Sequence, residues 1–163
     1  VVHDGFEFSR QDKVHNVVEY VQKTGNQVSL HVCWESQSGG NCCHCEKCYR
    51  TMTGLLAEGA DPVEYGFQDA KESLADMHRY IVSQCTDMQT LPDYWPHIQR
   101  RICENKQLLQ SKPYWKQIKW MVSADFMHPE TLKMPLSYRI RSKLSTFQFY
   151  QVLHKVKISI QKR

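Results

Sequence analysis

The sequence predicts a strand-helix-strand α/β remnant that carries a four-cysteine loop, followed by a mostly α-helical C-terminal region. Three observations lead there. Val28, Leu30 and Val32 alternate with Ser29, His31 and Cys33, the two-residue period of a half-buried strand. Cys33, Cys42, Cys45 and Cys48 fall inside 16 residues as C-x8-C-x2-C-x2-C. From residue 68 onward, apolar residues recur at helical spacing.

The elements follow in order. Val1-Val2-His3-Asp4-Gly5 reads as the end of a strand, so the chain opens in mid-pattern and is expected to be a fragment of a longer fold. His3 and Asp4 would stand where α/β proteins build their sites, and read equally well as surface residues. Ser9 then caps a helix, with Asp12 three residues on completing a capping box. Val14, Val17, Val18 and Val21 form its apolar stripe before Gly25 closes it. The strand at 28–33 follows, and the cysteine loop hangs from this unit. Cys48, Met52, Leu55 and Leu56 share one face of the next helix, which Gly59 stops before an Asp61-Pro62 turn.

Further helices are expected at about 68–86, 93–110 and 113–122, on the spacing of Leu74, Met77, Ile81, Ile98, Ile102 and Leu109. Pro129 and Pro135 bracket a connector. Beyond it, Ile140, Leu144, Phe147, Gln151 and Val156 mark a mostly apolar stripe on a basic helical segment. The domain division expected is 1–67 and 68–163.

Composition bounds the function. At 163 residues with 41% hydrophobic content the chain is globular, and no apolar run approaches the ~18 residues of a membrane span. The expected location is cytoplasmic. Net charge is +4, but from Thr131 to Arg163 there are eight Lys or Arg and no Asp or Glu.

The cysteine spacing points to zinc. A C-x-x-C pair brings two thiolates onto one ion from a single turn; Cys42, Cys45 and Cys48 give two such turns and Cys33 a fourth ligand. The residues between them, Ser38, Gly39, Gly40 and Asn41, make a polar loop, where packing as small hydrophobes explains little. A disulfide scaffold fits poorly, because the cysteine count is odd and the chain is long enough to build a core. Cys43 is a surplus thiol, and it and His44 are the substitutes should one ligand be misassigned. Cys85 and Cys103 read as buried thiols on later helices. Four thiolates close the coordination shell, so the zinc is expected to be structural.

The run Asn41-Cys42-Cys43-His44-Cys45-Glu46-Lys47-Cys48-Tyr49-Arg50-Thr51-Met52, preceded by Cys33, resembles the N-C-G-x-C-E-K-C-x-R-T-M signature of relatives of 7-cyano-7-deazaguanine synthase. That family belongs to the PP-loop ATP pyrophosphatases, with an adenine-nucleotide-hydrolase-like fold. The likeness extends upstream through Ser9-Arg10-Gln11-Asp12-Lys13-Val14 and downstream to Gly59 and Tyr65-Gly66-Phe67, covering about residues 1–67. It implies the zinc-bearing C-terminal part of an ATP-dependent enzyme that adenylates a substrate and releases pyrophosphate.

Two departures from the family stand out. Cys43 occupies a position where relatives carry glycine, which alone tolerates positive φ freely. The S-G-G-x-D-S loop that would bind ATP phosphates and magnesium is absent. Ser38-Gly39-Gly40-Asn41 only superficially resembles it, being followed by Cys42 and Cys43. ATP and magnesium are therefore expected only if a missing N-terminal half of the fold supplies that loop, and the chain alone is expected to be non-catalytic. Arg10 and Lys13 are the candidate cofactor-binding residues, with Lys47 and Arg50 as further cations near the metal. Solvated surface charge accounts equally well for each.

No residue is singled out as catalytic. G-x-S-x-G and H-E-x-x-H are absent, and His78, His97, His128 and His154 are scattered. Tyr94, Trp95, Tyr114, Trp115 and Trp120 suit core packing or a helix interface. A small-molecule substrate is compatible with the enzyme reading. The alternative is a non-catalytic structural-zinc module binding nucleic acid or a protein, since a closed zinc site with a basic tail suits phosphate backbones.

Overall fold

The computed structural model describes residues 5, 7–37, 39–136 and 138–140. It divides into two compact units at the Leu132–Lys133 boundary. The description below concerns the first; His3, Asp4, Ser38 and the basic segment from residue 141 on, with its expected stripe, lie outside the described residues.

Among its described residues the first unit has six helices: α1 (Arg10–Thr24), α2 (Glu46–Ala57), α3 (Ala70–Gln84), α4 (Thr90–Glu104), α5 (Lys106–Gln110) and α6 (Trp115–Ile118). Three 3-10 turns, Pro62–Tyr65, Lys119–Ser123 and Pro129–Thr131, connect or extend them.

The start of α1 is the expected capping box. Asp12 N–H donates to Ser9 Oγ at 3.2 Å and Ser9 N–H to Asp12 Oδ2 at 2.9 Å. Gly25 ends the helix at φ 71°, its N–H reaching the Val21 carbonyl at 2.8 Å.

Central to the unit is α2. Eleven of its twelve residues are buried, because α1, α3, α4 and the Pro62–Tyr65 turn all pack on it. Where α1 crosses, Gly54 leaves room for Gln11, whose Nε2 donates to the Gly54 carbonyl at 3.1 Å; a Cβ there would stand 2.8 Å from Gln11 Oε1. Leu74, Met77 and Ile81 of α3 and Leu91, Trp95, Ile98 and Ile102 of α4 complete the core with Met52 and Leu55. Each such side chain stabilises the fold by roughly 1.5–3 kcal/mol relative to exposure.

The helix expected over 93–110 begins three residues earlier, at Thr90, and breaks at Asn105. Pro92 sits in the first turn, where its missing N–H costs nothing, and Asn105 turns inward to donate Nδ2 to the Ala57 carbonyl at 2.8 Å. The stretch expected as one helix over 113–122 is a short α-helix continued by a 3-10 turn.

The α/β expectation is overturned: among the described residues there is no strand. Residues 28–33 form an extended arm. Val28, Leu30 and Val32 are half-buried while Ser29 and His31 are exposed, so the alternation marked a face and not a paired edge. A ladder needs a second strand. Among the described residues the arm has one backbone bond to the rest of the chain, Leu30 N–H to the Tyr65 carbonyl at 2.9 Å, and a side chain takes Val32 N–H and the Leu30 carbonyl. The first unit is an α-helical bundle with an extended arm. Among the described residues, no helix is long and apolar enough to cross a membrane.

Candidate metal centre

Asn41 builds the loop that carries the cysteines. Its Oδ1 accepts from Val32 N–H at 3.1 Å, and its Nδ2 donates to the carbonyls of Leu30 at 2.7 Å and Gly66 at 3.0 Å. One side-chain amide thereby joins the arm, the loop and the turn after Pro62–Tyr65. Gly66, at φ 91°, permits that approach: a Cβ would stand 2.7 Å from Ser29 Oγ. Gly39, at φ 81°, turns the loop, and the Gly40 carbonyl lies 3.2 Å from His31 Nε2.

The arm ends at Cys33, and α2 begins directly after Cys45. Cys33, Cys42, Cys45 and Cys48 bring their sulfurs within 4.8 Å of one another, with Cys33 to Cys45 at 4.0 Å and Cys42 to Cys48 at 3.9 Å. Sulfurs about 2.3 Å from a shared tetrahedral centre stand about 3.8 Å apart, so the set is sized for one metal ion. Three of the four are buried and Cys42 is partly so. The loop is polar, but its cysteines are not on its surface; they form the floor of the cluster against α2.

The thiols differ in charge preference. Burial pushes the Cys33 thiol up, but hydrogen bonds from the backbone of Cys42, Glu35 and Ser36 outweigh it and bring it down to about 6. Burial pushes Cys45 up to about 11, and Cys48 is raised as well, by burial and by the neighbouring Cys45. A second thiolate beside the first is costly, and a bound cation supplies the opposite charge that offsets it.

Cys43 is wholly buried, and it sits at φ 60°, the only non-glycine residue with positive φ among those described. The left-handed turn that suits glycine is present, occupied by cysteine. Its sulfur points away to the Asn41 carbonyl at 3.6 Å and is not part of the four-sulfur cluster. His44 is exposed, and its N–H donates to Cys42 Sγ at 3.4 Å, so it acts through its backbone. Cys85 is buried as expected and its thiol is pushed up to about 12 by burial. Cys103, expected to be buried, is exposed on α4.

The cations near the loop separate. Lys47 stacks its ammonium over the exposed Trp34 ring, 2.8 Å from the centroid. Lys13 is exposed, its side-chain end passing Gly5. Arg10 and Arg50 come together in one crevice. Arg10 Nη2 donates to Thr51 Oγ1 at 3.0 Å, and Arg50 Nη2 lies 3.5 Å from Glu46 Oε2. Glu46 also accepts from Trp95 Nε1 at 3.0 Å, so it links α2 to the core of α4. Sequence reasoning missed Glu46 as a buried acid and Trp95 as its partner; their separation along the chain leaves no local pattern to find. Among the described residues, His78 stacks on Trp120, with ring centroids 3.8 Å apart, and His128 pairs with Asp125 on the surface.

Comparison with family models, with curated proteins and with solved structures finds no match to this chain.

Proposed function

We propose that Cys33, Cys42, Cys45 and Cys48 bind one zinc ion through sulfur alone, and that this zinc is structural. The observation that carries the reading is the mutual approach of the four sulfurs within 4.8 Å. Four thiolates fill a tetrahedral shell and leave no open position for water or substrate. Zinc here ties the arm ending at Cys33 to the helix carrying Cys48, and its binding free energy becomes folding free energy of that region. The seven cysteines are free thiols, which suits the cytoplasm.

The chain is then the zinc-bearing C-terminal portion of an ATP-dependent, pyrophosphate-releasing enzyme resembling 7-cyano-7-deazaguanine synthase, acting on a small molecule and not catalytic on its own. Support comes from the signature residues, each of which has a local task. Asn41 staples the loop, Glu46 joins Arg50 to Trp95, Thr51 accepts from Arg10, and Met52 fills the core. The phosphate loop this reading requires, with its ATP and magnesium, belongs to a partner segment of the same fold.

Metal analysis tests the first part. Purified protein is expected to hold one zinc per chain, with cobalt substitution giving the intense thiolate absorption of a tetrahedral four-sulfur site. Protein that folds fully with neither metal overturns it. For the second part, the 163-residue chain alone is expected to exchange no labelled pyrophosphate into ATP, because the S-G-G-x-D-S loop that would hold the ATP phosphates and magnesium is not in it. Robust exchange by this chain rejects the reading.

A further inference from the structure

Arg50 is buried to 4% exposure in the middle of α2, yet only its Nη2 has an anionic neighbour. Its Nε and Nη1 are buried without a hydrogen-bond partner, and so is Nε of Arg10 beside it. A guanidinium carries five N–H donors and no acceptor, so leaving several unpaired away from water is costly. The charges do not balance either. Arg50 pairs with Glu46, whose other oxygen is already engaged by Trp95, and Arg10 donates to the neutral Thr51 hydroxyl. The Arg10 pKa is lowered, first by burial and then by the Arg50 charge.

The two residues that carry these atoms line a crevice between α1, α2 and α4, together with Gln11, Val14, Tyr94, His97 and the buried Ile98. Its free space of about 10 Å³ is the size of one water or one ligand oxygen. Tyr94 covers a face of the Arg50 guanidinium, 4.2 Å from the ring centroid, and leaves its edge donors available. Tyr94 and His97 are exposed and form the rim.

We propose that Arg10 and Arg50 form an oxyanion site that takes the terminal phosphate or carboxylate group of a small ligand, one oxygen entering the crevice and the rest remaining at the Tyr94–His97 rim. The chemistry is that of charge-assisted hydrogen bonds to a planar fork, which phosphate and carboxylate both satisfy. An anion there neutralises the excess charge and gives the orphaned donors their partners. The site stands apart from the zinc reading, since none of its residues is a cysteine ligand.

The test is titration of the full chain with inorganic phosphate, pyrophosphate and acetate at constant ionic strength, read by the Arg side-chain Nε–H resonances in nitrogen-15 NMR. Saturable shifts confined to Arg10 and Arg50 are expected. Phosphate or pyrophosphate binding with no acetate response assigns a phosphate ligand, and the reverse assigns a carboxylate. Arg50→Gln is expected to abolish the response, and Arg10→Gln to weaken it about tenfold or more. Arg10 is half-exposed and lies on α1, outside the helix that carries Arg50, so Arg10→Gln decides the matter should Arg50→Gln fail to fold. No saturable shift with any of the three anions up to about 20 mM, an affinity worth only ~2 kcal/mol, overturns the proposal. Binding that Arg10→Gln leaves unchanged overturns it too.

Discussion

Glu58 shows how much a single side chain holds here. Standing at the end of α2 with its carboxylate only 3% exposed, it accepts from Gln11 Nε2 at 2.8 Å and from Arg101 Nε and Nη2 at 2.9 Å. His15 Nδ1 lies 2.9 Å from its other oxygen. One acid thus joins α1 and α4 to α2. Glu58→Ala removes a shared acceptor, while the part-exposed Arg101 keeps Glu104 and Gln11 keeps the Gly54 carbonyl, so it is expected to destabilise the fold by about 1–3 kcal/mol in denaturant titration, with Glu58→Gln losing less. Nothing in the sequence marks this residue among 17 acids, because its partners lie 43 to 47 positions away. Cys43 is the opposite case: the glycine expected at its position announces a left-handed turn, and the turn is there at φ 60°. Cys43→Gly removes roughly 1–2 kcal/mol of backbone strain while giving up a buried thiol. Metal content is therefore expected to be unchanged and the melting temperature little moved. Cys43→Ile, branched at a positive φ, is expected to lower both.

At the scale of elements, the arm and α2 differ in what supports them. The arm is held by Asn41, one backbone bond to Tyr65 and Cys33, whereas α2 is packed on all sides by other helices. Cys45→Ser is therefore expected to open residues 28–45 while Met52–Ala57 keep their protection. Hydrogen exchange is the measurement: the arm's amides should exchange more than about tenfold faster, the equivalent of roughly 1.4 kcal/mol, and the core of α2 should not. Equal loss of protection in both would show that zinc holds the whole bundle. Legibility in the sequence follows the same division. The caps of α1, the burial stripes of α3 and α4 and the cysteine cluster are local patterns, and each stands where its residues placed it. The α/β reading failed at 28–33 because alternation reports which side is covered, and pairing depends on a second strand that local pattern cannot supply. The Arg10–Arg50 crevice was half visible, since both cations were noted, but their meeting depends on the crossing of α1 over α2 at Gly54.

For the whole molecule, charge and packing divide at the same place. Of the 21 Lys and Arg, eight lie in 133–163 with none of the 17 Asp and Glu, so 13 cations face 17 acids in the first 132 residues. The buried core residues described run from Val14 to Phe126, all on the acidic side of the boundary. A chain ending at Leu132 thus keeps its core and its four cysteines, and is expected to bind one zinc and to melt within about 2–4 °C of the full chain, the shift that 1 kcal/mol makes in a domain of this size. A larger fall would mean that residues 133–163 contribute to the core. The same pair of proteins separates the enzyme reading from a nucleic-acid module. An acidic first unit repels phosphate backbones, so binding to DNA or RNA would have to reside in the basic segment and weaken steeply with salt. Filter binding from about 50 to 200 mM salt is expected to find only weak association of the full chain. Tight, salt-steep binding that disappears on ending the chain at Leu132 would favour the nucleic-acid module, with zinc holding only the scaffold that presents it.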